Sequence, residues 1–345
     1  MAARRETLGA GKKTLNILIV RTDRVGDVML TTPLSTALKK QYPECRVSWL
    51  VRSYTAPLLA HNPTIDQVLV DDGGASSSHL TEMLRREAFD VAILAHPRWR
   101  PVWATFRAHI PRRIGPASKL YAALLTDRVW QHRSEGKKNE ADYNLDLLAP
   151  LNIPFHRYPT TLVLTTAEKA HAREVLSGHR ISFQKPVVVL HPGSGGSSER
   201  WPLSHFMALG DRLQADGYDV VVTAGPGESV QAVMIDQMHR IPIFIPAGSV
   251  SLRALAALLS QAQLVITNST GPLHMAVALG VPTVSIFSPI PTCHPQRWGP
   301  YPDYAEQGTR HGVLIAPEAG GHVAMDQVSV DQVWAQCEKR LRSAA

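Results

Sequence analysis

A stretch without a charged side chain, from Ala254 to Gln296, constrains the fold more than any other part of this sequence. Its middle predicts a strand at Leu264–Thr267 and a turn over residues 268–271. Pro272 then stands where a helix begins and Gly280 where one ends, and a second apolar run follows. The turn residues break the stretch below the roughly 20 apolar residues that a membrane span needs. Strand, loop, helix and strand in this order point a helix N-terminus at the sheet edge where phosphate-bearing ligands bind.

The rest of the chain repeats this alternation, and its 345 residues exceed what one core usually supports. Apolar runs followed by polar loops and amphipathic stretches predict doubly wound parallel sheets. Prolines at positions 150, 154 and 159 mark a linker. We therefore expect an N-terminal Rossmann-like domain over residues 14–160, a C-terminal one over 161–322 and a last helix within 323–345. Residues 1–13 are basic and polar, and we expect a disordered tail there without a signal peptide or anchor.

The net charge of +7 favours an anionic partner. Much of it lies between residues 96 and 138, where cations outnumber acids. This region is either an ordinary solvated surface or a basic face for an anionic acceptor or an anionic membrane surface. Nucleic acid is disfavoured because no motif for binding it accompanies the charge. Three scattered cysteines fit neither a disulfide framework nor a zinc site and indicate a reducing compartment, for which we expect the cytoplasm.

Loops after the strands of the second half are candidates for binding a nucleotide. The loop His191–Pro202 lies between a strand and a helix, its glycines let backbone N–H groups approach a diphosphate, and Arg200 supplies charge. The alternative is an ordinary glycine-rich turn. Glu228, after the next strand, either accepts hydrogen bonds from ribose hydroxyls or is a carboxylate at a helix start. His274 is either a packing histidine or a donor that supports phosphate binding.

Asp27 stands after Gly26 at the start of the first predicted helix. A carboxylate there is either a favourable helix-start residue or a general base that faces the cleft between the domains. Arg21, Asp23 and Arg24 share its loop, so a base, an acid or a sugar-binding pair can be built there. The sequence has no Walker loop after a strand and no Asp-x-Asp motif for a metal-bound sugar nucleotide. We therefore expect a reaction without a metal ion.

Four sets of residues together resemble glycosyltransferase family 9, the ADP-heptose:lipopolysaccharide heptosyltransferase family. The resemblance covers roughly Leu15 to Leu341. Its motifs are Gly26-Asp27-Val28 with Thr31-Thr32-Pro33, His191-Pro-Gly-Ser with Arg200-Trp201-Pro202, Asn268–His274 with Ala278-Leu-Gly-Val-Pro282, and Arg297-Trp-Gly-Pro300.

The resemblance implies the α/β fold called GT-B, in which two Rossmann-like domains face each other across a cleft. The acceptor then binds on the N-terminal side and the nucleotide sugar on the C-terminal side, and the last helix packs back toward the N-terminal domain. It also implies an inverting, metal-independent transfer in which Asp27 deprotonates the acceptor hydroxyl. The leaving diphosphate would be stabilised by the positive field of the Pro272 helix.

The residue patterns and the resemblance together predict a set of binding residues and partners. The expected ligands are Ser194, Gly195, Arg200, Thr270, Gly271 and His274 for the donor phosphates, Glu228 for the ribose, Asn268 for the donor sugar, and Arg21, Arg24, Arg98 and Arg100 for the acceptor. The expected partners are a nucleotide-sugar co-substrate, ADP-heptose, and an anionic glycolipid at the cytoplasmic face of the inner membrane, with peripheral membrane contact, no nucleic acid, no metal and no cofactor. Two alternatives are a GT-B-like sugar-nucleotide epimerase and a non-catalytic nucleotide-sugar-binding module.

Two positions depart from the family pattern. Glu199 stands where members commonly have a lysine, so the cation for the phosphates must be Arg200 or come from elsewhere. Asn268 stands where many members have an aspartate, and its amide can bond sugar hydroxyls but carries no charge. The nucleotide diphosphate is therefore better specified by the residues than the donor sugar is.

Overall fold

The structure, a computed structural model, describes residues 14–179, 181–196, 199–225, 243–245, 251–306, 309–319 and 321–342. Its strands are β1 (Asn16–Val20), β2 (Arg46–Val51), β3 (Gln67–Val70), β4 (Val91–Leu94), β5 (Arg112–Pro116), β6 (Asp127–Val129), β7 (Val187–His191), β8 (Asp219–Thr223), β9 (Ile243–Ile245), β10 (Leu264–Asn268), β11 (Thr283–Phe287), β12 (His311–Ile315), β13 (Glu318–Ala319) and β14 (His322–Val323). Its α-helices are α1 (Val25–Met29), α2 (Pro33–Gln41), α3 (Ser77–Arg86), α4 (Trp99–Arg107), α5 (Glu140–Leu145), α6 (Thr166–Gly178), α7 (Leu203–Ala215), α8 (Leu252–Leu259), α9 (Gly271–Ala278), α10 (Pro295–Trp298) and α11 (Val330–Arg342).

Two parallel sheets organise the described part of the chain. The first has the strand order β3-β2-β1-β4-β5-β6 and the second β12-β11-β10-β7-β8-β9. Counted from the first strand of each half, the two orders are the same, and both are the order of a Rossmann fold. The prediction of an α/β fold with two Rossmann-like domains is confirmed. The expected boundary at residues 160 and 161 falls between β6 and β7.

The central strands explain why each sheet forms. β1 and β10 are apolar and buried, since helices cover both faces of a parallel sheet. In β1 the register runs from Asn16 opposite Arg46 to Val20 opposite Leu50. Helix starts carry local signals as well: Thr165 and Glu168 form a capping box at α6, and Pro272 occupies the first turn of α9.

The last helix, α11, differs from its expected position. The resemblance led us to expect that it packs back toward the first domain, but its apolar side chains pack on the second sheet. Val333, Trp334, Cys337 and Leu341 share a buried cluster with Val188, Phe206, Val220 and Ile266. The indole of Trp201 also donates to the carbonyl oxygen of Val328 at 2.8 Å, which holds the segment before the helix on the second domain. The expected tail, residues 1–13, lies outside the described residues.

The two domains meet closely at the N-terminal ends of α1 and α9. A Cβ added at Gly26 would lie 2.6 Å from Cδ2 of His274, and one added at Gly271 would lie 3.0 Å from Val25. Only glycine allows this approach at either position. At another point the Arg253 guanidinium of the second half donates to the carbonyl oxygen of Pro57 at 3.0 Å. Among the described helices, none is long and apolar enough to cross a membrane.

Candidate active site

Two cavities share a wall where the domains meet. The larger, of about 1070 Å³, lies mainly against the loops that follow the strands of the first sheet. The smaller, of about 490 Å³, lies between α1 and the loops that follow β7 and β10. The residues that line both cavities are Arg24, Asp27, Tyr54, Thr292 and Trp298. Asp27 is the one carboxylate among these described residues, and it lies where the two cavities adjoin.

Asp27 is held in place by its helix and by one cation. It lies in the first turn of α1, and the Thr31 hydroxyl donates to its carbonyl oxygen at 2.7 Å. Its carboxylate accepts a hydrogen bond from Nη2 of Arg21 and keeps 15% of its side chain exposed. Burial raises the pKa of Asp27, and Asp23 and Glu140 raise it further, although Arg21 opposes them. A carboxylate of this kind is a stronger base than an exposed one.

Arg21 is committed to carboxylates rather than left available for a ligand. It is buried at the end of β1, where its Nε donates to Asp23 at 2.8 Å and its Nη1 to Glu140 at 3.1 Å. Nη1 also donates to the amide oxygen of Asn144 at 3.3 Å. Burial alone would lower the pKa of Arg21, but the three carboxylates raise it. Arg21 lines the larger cavity as expected for an acceptor residue, and its contacts indicate that it orients Asp27.

Glu140 was not predicted from the sequence. It begins α5, is buried, and accepts hydrogen bonds from Arg21, Arg133 and Arg297. Burial would raise its pKa, but the three guanidinium groups lower it to about 2. The partners Arg21 and Arg297 are 119 and 157 residues away, so no local pattern marks the carboxylate. Arg297 was recognised only as part of a motif, without a role.

The expected acceptor arginines divide into two groups. Arg24 and Arg98 are exposed and line the larger cavity. Arg100 instead pairs with both oxygens of Asp71, at 2.8 and 2.9 Å, and is not among the described lining residues. The first turn of α4 directs Arg100 to the loop after β3, and its role in binding the acceptor stays a prediction.

Cationic side chains without an individually predicted role also line the larger cavity. They are Arg52, Lys119, Arg133 and Arg297. His96 lines it as well, but burial and the nearby Arg21 lower its pKa to about 4, so it is neutral near pH 7. The cavity is therefore suited to an anionic ligand.

Most of the expected phosphate ligands converge on the smaller cavity. Ser194, Gly195, Thr270, Gly271 and His274 all line it. The N-terminus of α9 opens into the same space and directs the positive end of the helix dipole toward it. This arrangement suits a diphosphate.

Two other donor-side predictions, for Glu228 and Arg200, have different outcomes. Glu228 lies outside the described residues. Arg200 is exposed and is not among the described residues that line either cavity. Arg24 is the one arginine or lysine among the described residues that line the smaller cavity. It is therefore the cation that can contact a phosphate there.

Asn268 links two loops and does not reach the cavity. Its Oδ1 accepts from the backbone N–H of Trp201 at 2.9 Å, and its Nδ2 donates to the carbonyl oxygen of Pro192 at 2.7 Å. The side chain is fully buried. Asn268 therefore supports the loop after β7, and its role as a ligand of the donor sugar stays a prediction.

His274 is a buried packing residue that also lines the smaller cavity, and its role as a donor toward the phosphates stays a prediction. It is buried against Gly26, it lines the smaller cavity, and burial lowers its pKa to about 4. Within the described ranges, Nδ1 of His274 is a buried atom without a hydrogen-bond partner. A neutral imidazole of this kind can donate one hydrogen bond to a ligand oxygen. In the same part of the chain, no group of three or more His, Cys, Asp or Glu side chains is arranged to hold a metal ion.

Comparisons with known proteins give one consistent result. A family model described as "Glycosyltransferase family 9 (heptosyltransferase)" matches residues 78–311. A "Putative glycosyltransferase" of Haemophilus influenzae is 29% identical over 340 residues, which cover 95% of this chain and 97% of that protein. "Lipooligosaccharide heptosyltransferase 2" of the same organism is 25% identical, over 84% of this chain and 87% of that protein. A solved family 9 glycosyltransferase of Veillonella parvula has a TM-score of 0.83 and 25% identity, over 95% of this chain and 97% of that one.

Proposed function

Because this chain belongs to glycosyltransferase family 9, we propose that it is an inverting, metal-independent heptosyltransferase. Its donor is ADP-heptose and its acceptor is a lipopolysaccharide core or a related glycan. One observation carries this proposal: Asp27 lines both the larger cavity, which suits the acceptor, and the smaller cavity, which suits the nucleotide sugar. A base in that position can contact the nucleophile while the leaving group is bound next to it.

The reaction is a single displacement. An acceptor hydroxyl in the larger cavity gives its proton to the Asp27 carboxylate as its oxygen attacks the anomeric carbon of the donor sugar. The bond between that carbon and the diphosphate oxygen breaks, and ADP remains in the smaller cavity with both electrons of the bond. Attack from one cavity with departure into the other inverts the anomeric configuration.

Backbone groups and one cation stabilise the negative charge that develops on the leaving diphosphate. The N-terminus of α9 and the loop that holds Ser194 and Gly195 both face the smaller cavity. Fixed dipoles of this kind stabilise a developing anion without reorganising. Arg24 lines both cavities, so we assign to it the role that the sequence suggested for Arg200. These groups supply the stabilisation for which other sugar-nucleotide sites use a divalent ion.

An anionic glycolipid at the cytoplasmic face of the inner membrane is the acceptor that we propose. Large apolar side chains are exposed after three neighbouring strands of the first sheet: Trp99 after β4 (60% exposed), Leu120 after β5 (95%) and Trp130 after β6 (78%). Trp99 lines the larger cavity together with the cations Arg98 and Lys119. Apolar and cationic side chains at one rim suit the surface of an anionic bilayer.

Single-turnover transfer tests the proposal directly. Excess enzyme is mixed with ADP-heptose and deacylated lipopolysaccharide core oligosaccharide in the presence of EDTA, and the anomeric configuration of the product is read by NMR. We expect an inverted glycosidic linkage at an unchanged rate in the chelator. Retention of configuration, or activity that disappears in EDTA and returns with magnesium, would contradict the mechanism. Conversion of the donor without an acceptor would instead identify an epimerase, and binding without any conversion would identify a non-catalytic module.

A further inference from the structure

Glu140 is the point at which guanidinium groups from three parts of the chain meet. Its Oε1 accepts from Nη1 of Arg21 at 3.1 Å and from Nη1 of Arg133 at 2.5 Å. Its Oε2 accepts from Nε of Arg297 at 3.1 Å. Only 1% of the Glu140 side chain is exposed. A carboxylate buried to this extent is costly unless it is paired, so the three contacts are needed to keep it charged.

The contacts join both domains to the base. Arg21 and Arg133 belong to the first domain, whereas Arg297 lies in α10 of the second. Arg21 also donates to Asp27 and Asp23. We call the three guanidinium groups and three carboxylates of Arg21, Asp23, Asp27, Arg133, Glu140 and Arg297 the Glu140 cluster. Its formal charges cancel when both domains are present.

Arg297 has a second link to the site. Its guanidinium carbon lies 4.8 Å from the ring centroid of Trp298, which lines both cavities. Displacement of Arg297 would therefore disturb the wall that the two cavities share as well as the partner of Glu140.

We propose that Glu140 is a positioning residue that ties Arg297 of the second domain to Arg21, and through Arg21 sets the orientation and basicity of Asp27. The proposal rests on the function proposed above, since it concerns the base of that reaction. Glu140 accepts a hydrogen bond from Arg21. The Arg21 guanidinium therefore divides its hydrogen bonds among three carboxylates instead of pairing with Asp27 alone. Because Arg297 completes the pairing, the working state of the base depends on this contact between the domains.

Several charged or titratable groups face Asp27, and the test must distinguish Glu140 from the others. They are Arg21 and Asp23 after β1, Arg24 before α1, Tyr54 after β2, His96 after β4, Glu140 on α5 and His274 on α9. Glu140→Gln keeps the size of the side chain and removes only its charge. Loss of a nearby negative charge, and firmer pairing of Arg21 with Asp27, both lower the pKa of Asp27.

The expected result is a displaced pH profile. The transfer of heptose from ADP-heptose to deacylated core oligosaccharide is measured across the pH range in which circular dichroism shows each variant folded. In Glu140→Gln the acidic limb of kcat/KM moves to lower pH by roughly half to one unit, the small end of the effect of a neighbouring charge. The plateau falls by roughly tenfold, a part of what a positioned base contributes. Glu140→Asp, which returns the carboxylate, moves the limb back toward the wild type.

Asp142→Asn is the matched control. Asp142 lies on the same helix, is buried, and also bridges the domains, because it accepts from the Tyr301 hydroxyl at 2.9 Å and pairs with Arg157 at 2.8 Å. It has no contact with Arg21 or Asp27. We expect this variant to lower the melting temperature without displacing the acidic limb.

The contribution of the second domain is tested with Arg297→Gln. If Glu140 and Arg297 act as one unit, the double variant Glu140→Gln, Arg297→Gln loses no more activity than the more affected single variant. Losses that multiply would overturn the coupling between the domains.

The outcomes separate the two proposals. An inactive wild type would count against heptosyl transfer, whereas an active wild type with an undisplaced limb in Glu140→Gln would overturn the role of Glu140. If Glu140→Gln does not fold, the variant Glu140→Gln, Arg133→Gln replaces it, since two guanidinium groups and two carboxylates then remain. The limb is again expected at lower pH, by a smaller amount, because Arg21 loses the same competing carboxylate while the charge balance is kept, and no displacement would overturn the proposal.

Discussion

At the scale of single residues, Asp27 and Asp23 allow a direct test of which carboxylate is the general base, because both pair with Arg21. Asp27 and Asp23 both accept from Arg21, but only Asp27 lines both cavities. Asp27→Asn should lower kcat by roughly 10²- to 10⁴-fold, the contribution of a positioned base, with donor affinity nearly unchanged. Asp23→Asn should cost much less. Rapid-quench transfer assays and titration calorimetry with ADP measure the two quantities, and equal losses in both variants would refute the assignment.

A second comparison at this scale concerns the cation that meets the donor phosphates. Arg24 lines the smaller cavity, whereas Arg200 is exposed outside the described lining. Arg24→Ala should therefore weaken ADP binding by about 1.5 to 3 kcal/mol, the range for hydrogen bonds to charged groups. Arg200→Ala is the matched variant and should have the smaller effect in the same calorimetric titration. The reverse order would return the role to Arg200.

At the scale of the elements, the contact between α1 and α9 depends on the missing side chain of Gly26. Gly26→Ala would place a Cβ 2.6 Å from the His274 ring, so the buried ring or the helix ends must shift. We expect a lower melting temperature and a lower kcat/KM. Gly178→Ala is the control, since nothing lies within 4 Å of its added Cβ and no change is expected. The double variant Gly26→Ala, His274→Ala should recover the melting temperature; if it does not, the steric explanation fails.

The elements also show what could be predicted from sequence and what could not. The strands, and the loops at Asp27 and Thr270, follow from local runs, because apolar strands and turn residues have fixed periods. The direction of a side chain does not follow from such runs. Arg100 pairs with Asp71, and the Asn268 side chain forms hydrogen bonds with the backbone of Trp201 and Pro192. These outcomes depend on which loops lie side by side after folding.

The same limit explains the last helix and Glu140. The sequence predicts a last helix within residues 323–345 but not the sheet on which it packs, since either sheet offers an apolar face. Glu140 lies in a polar stretch that resembles an ordinary helix start, and its importance arises from arginines that are distant in the chain. Long-range pairing of this kind has no sequence period.

At the scale of the whole molecule, the exposed rim predicts binding to anionic bilayers. We expect the protein to sediment with vesicles of phosphatidylglycerol and phosphatidylethanolamine, and not with phosphatidylcholine alone. Binding should weaken with added salt because part of it is electrostatic. Leu120→Ser and Trp130→Ser should each reduce the bound fraction. Phe155→Ser, which removes an apolar side chain that is 51% exposed elsewhere, is the control. Equal binding by all three variants would exclude the rim as the contact.

The separation of the two sheets along the chain has a consequence for how the enzyme is made. The first sheet ends at Val129 and the second begins at Val187, so neither borrows a strand from the other half. Domains generally fold as units, the N-terminal one first during synthesis. Arg21, Arg133 and Glu140 can therefore meet before the ribosome has reached Arg297. The nascent N-terminal domain then carries one uncompensated negative charge next to Asp27. This charge is balanced only when Arg297 has been synthesised and the second domain has folded.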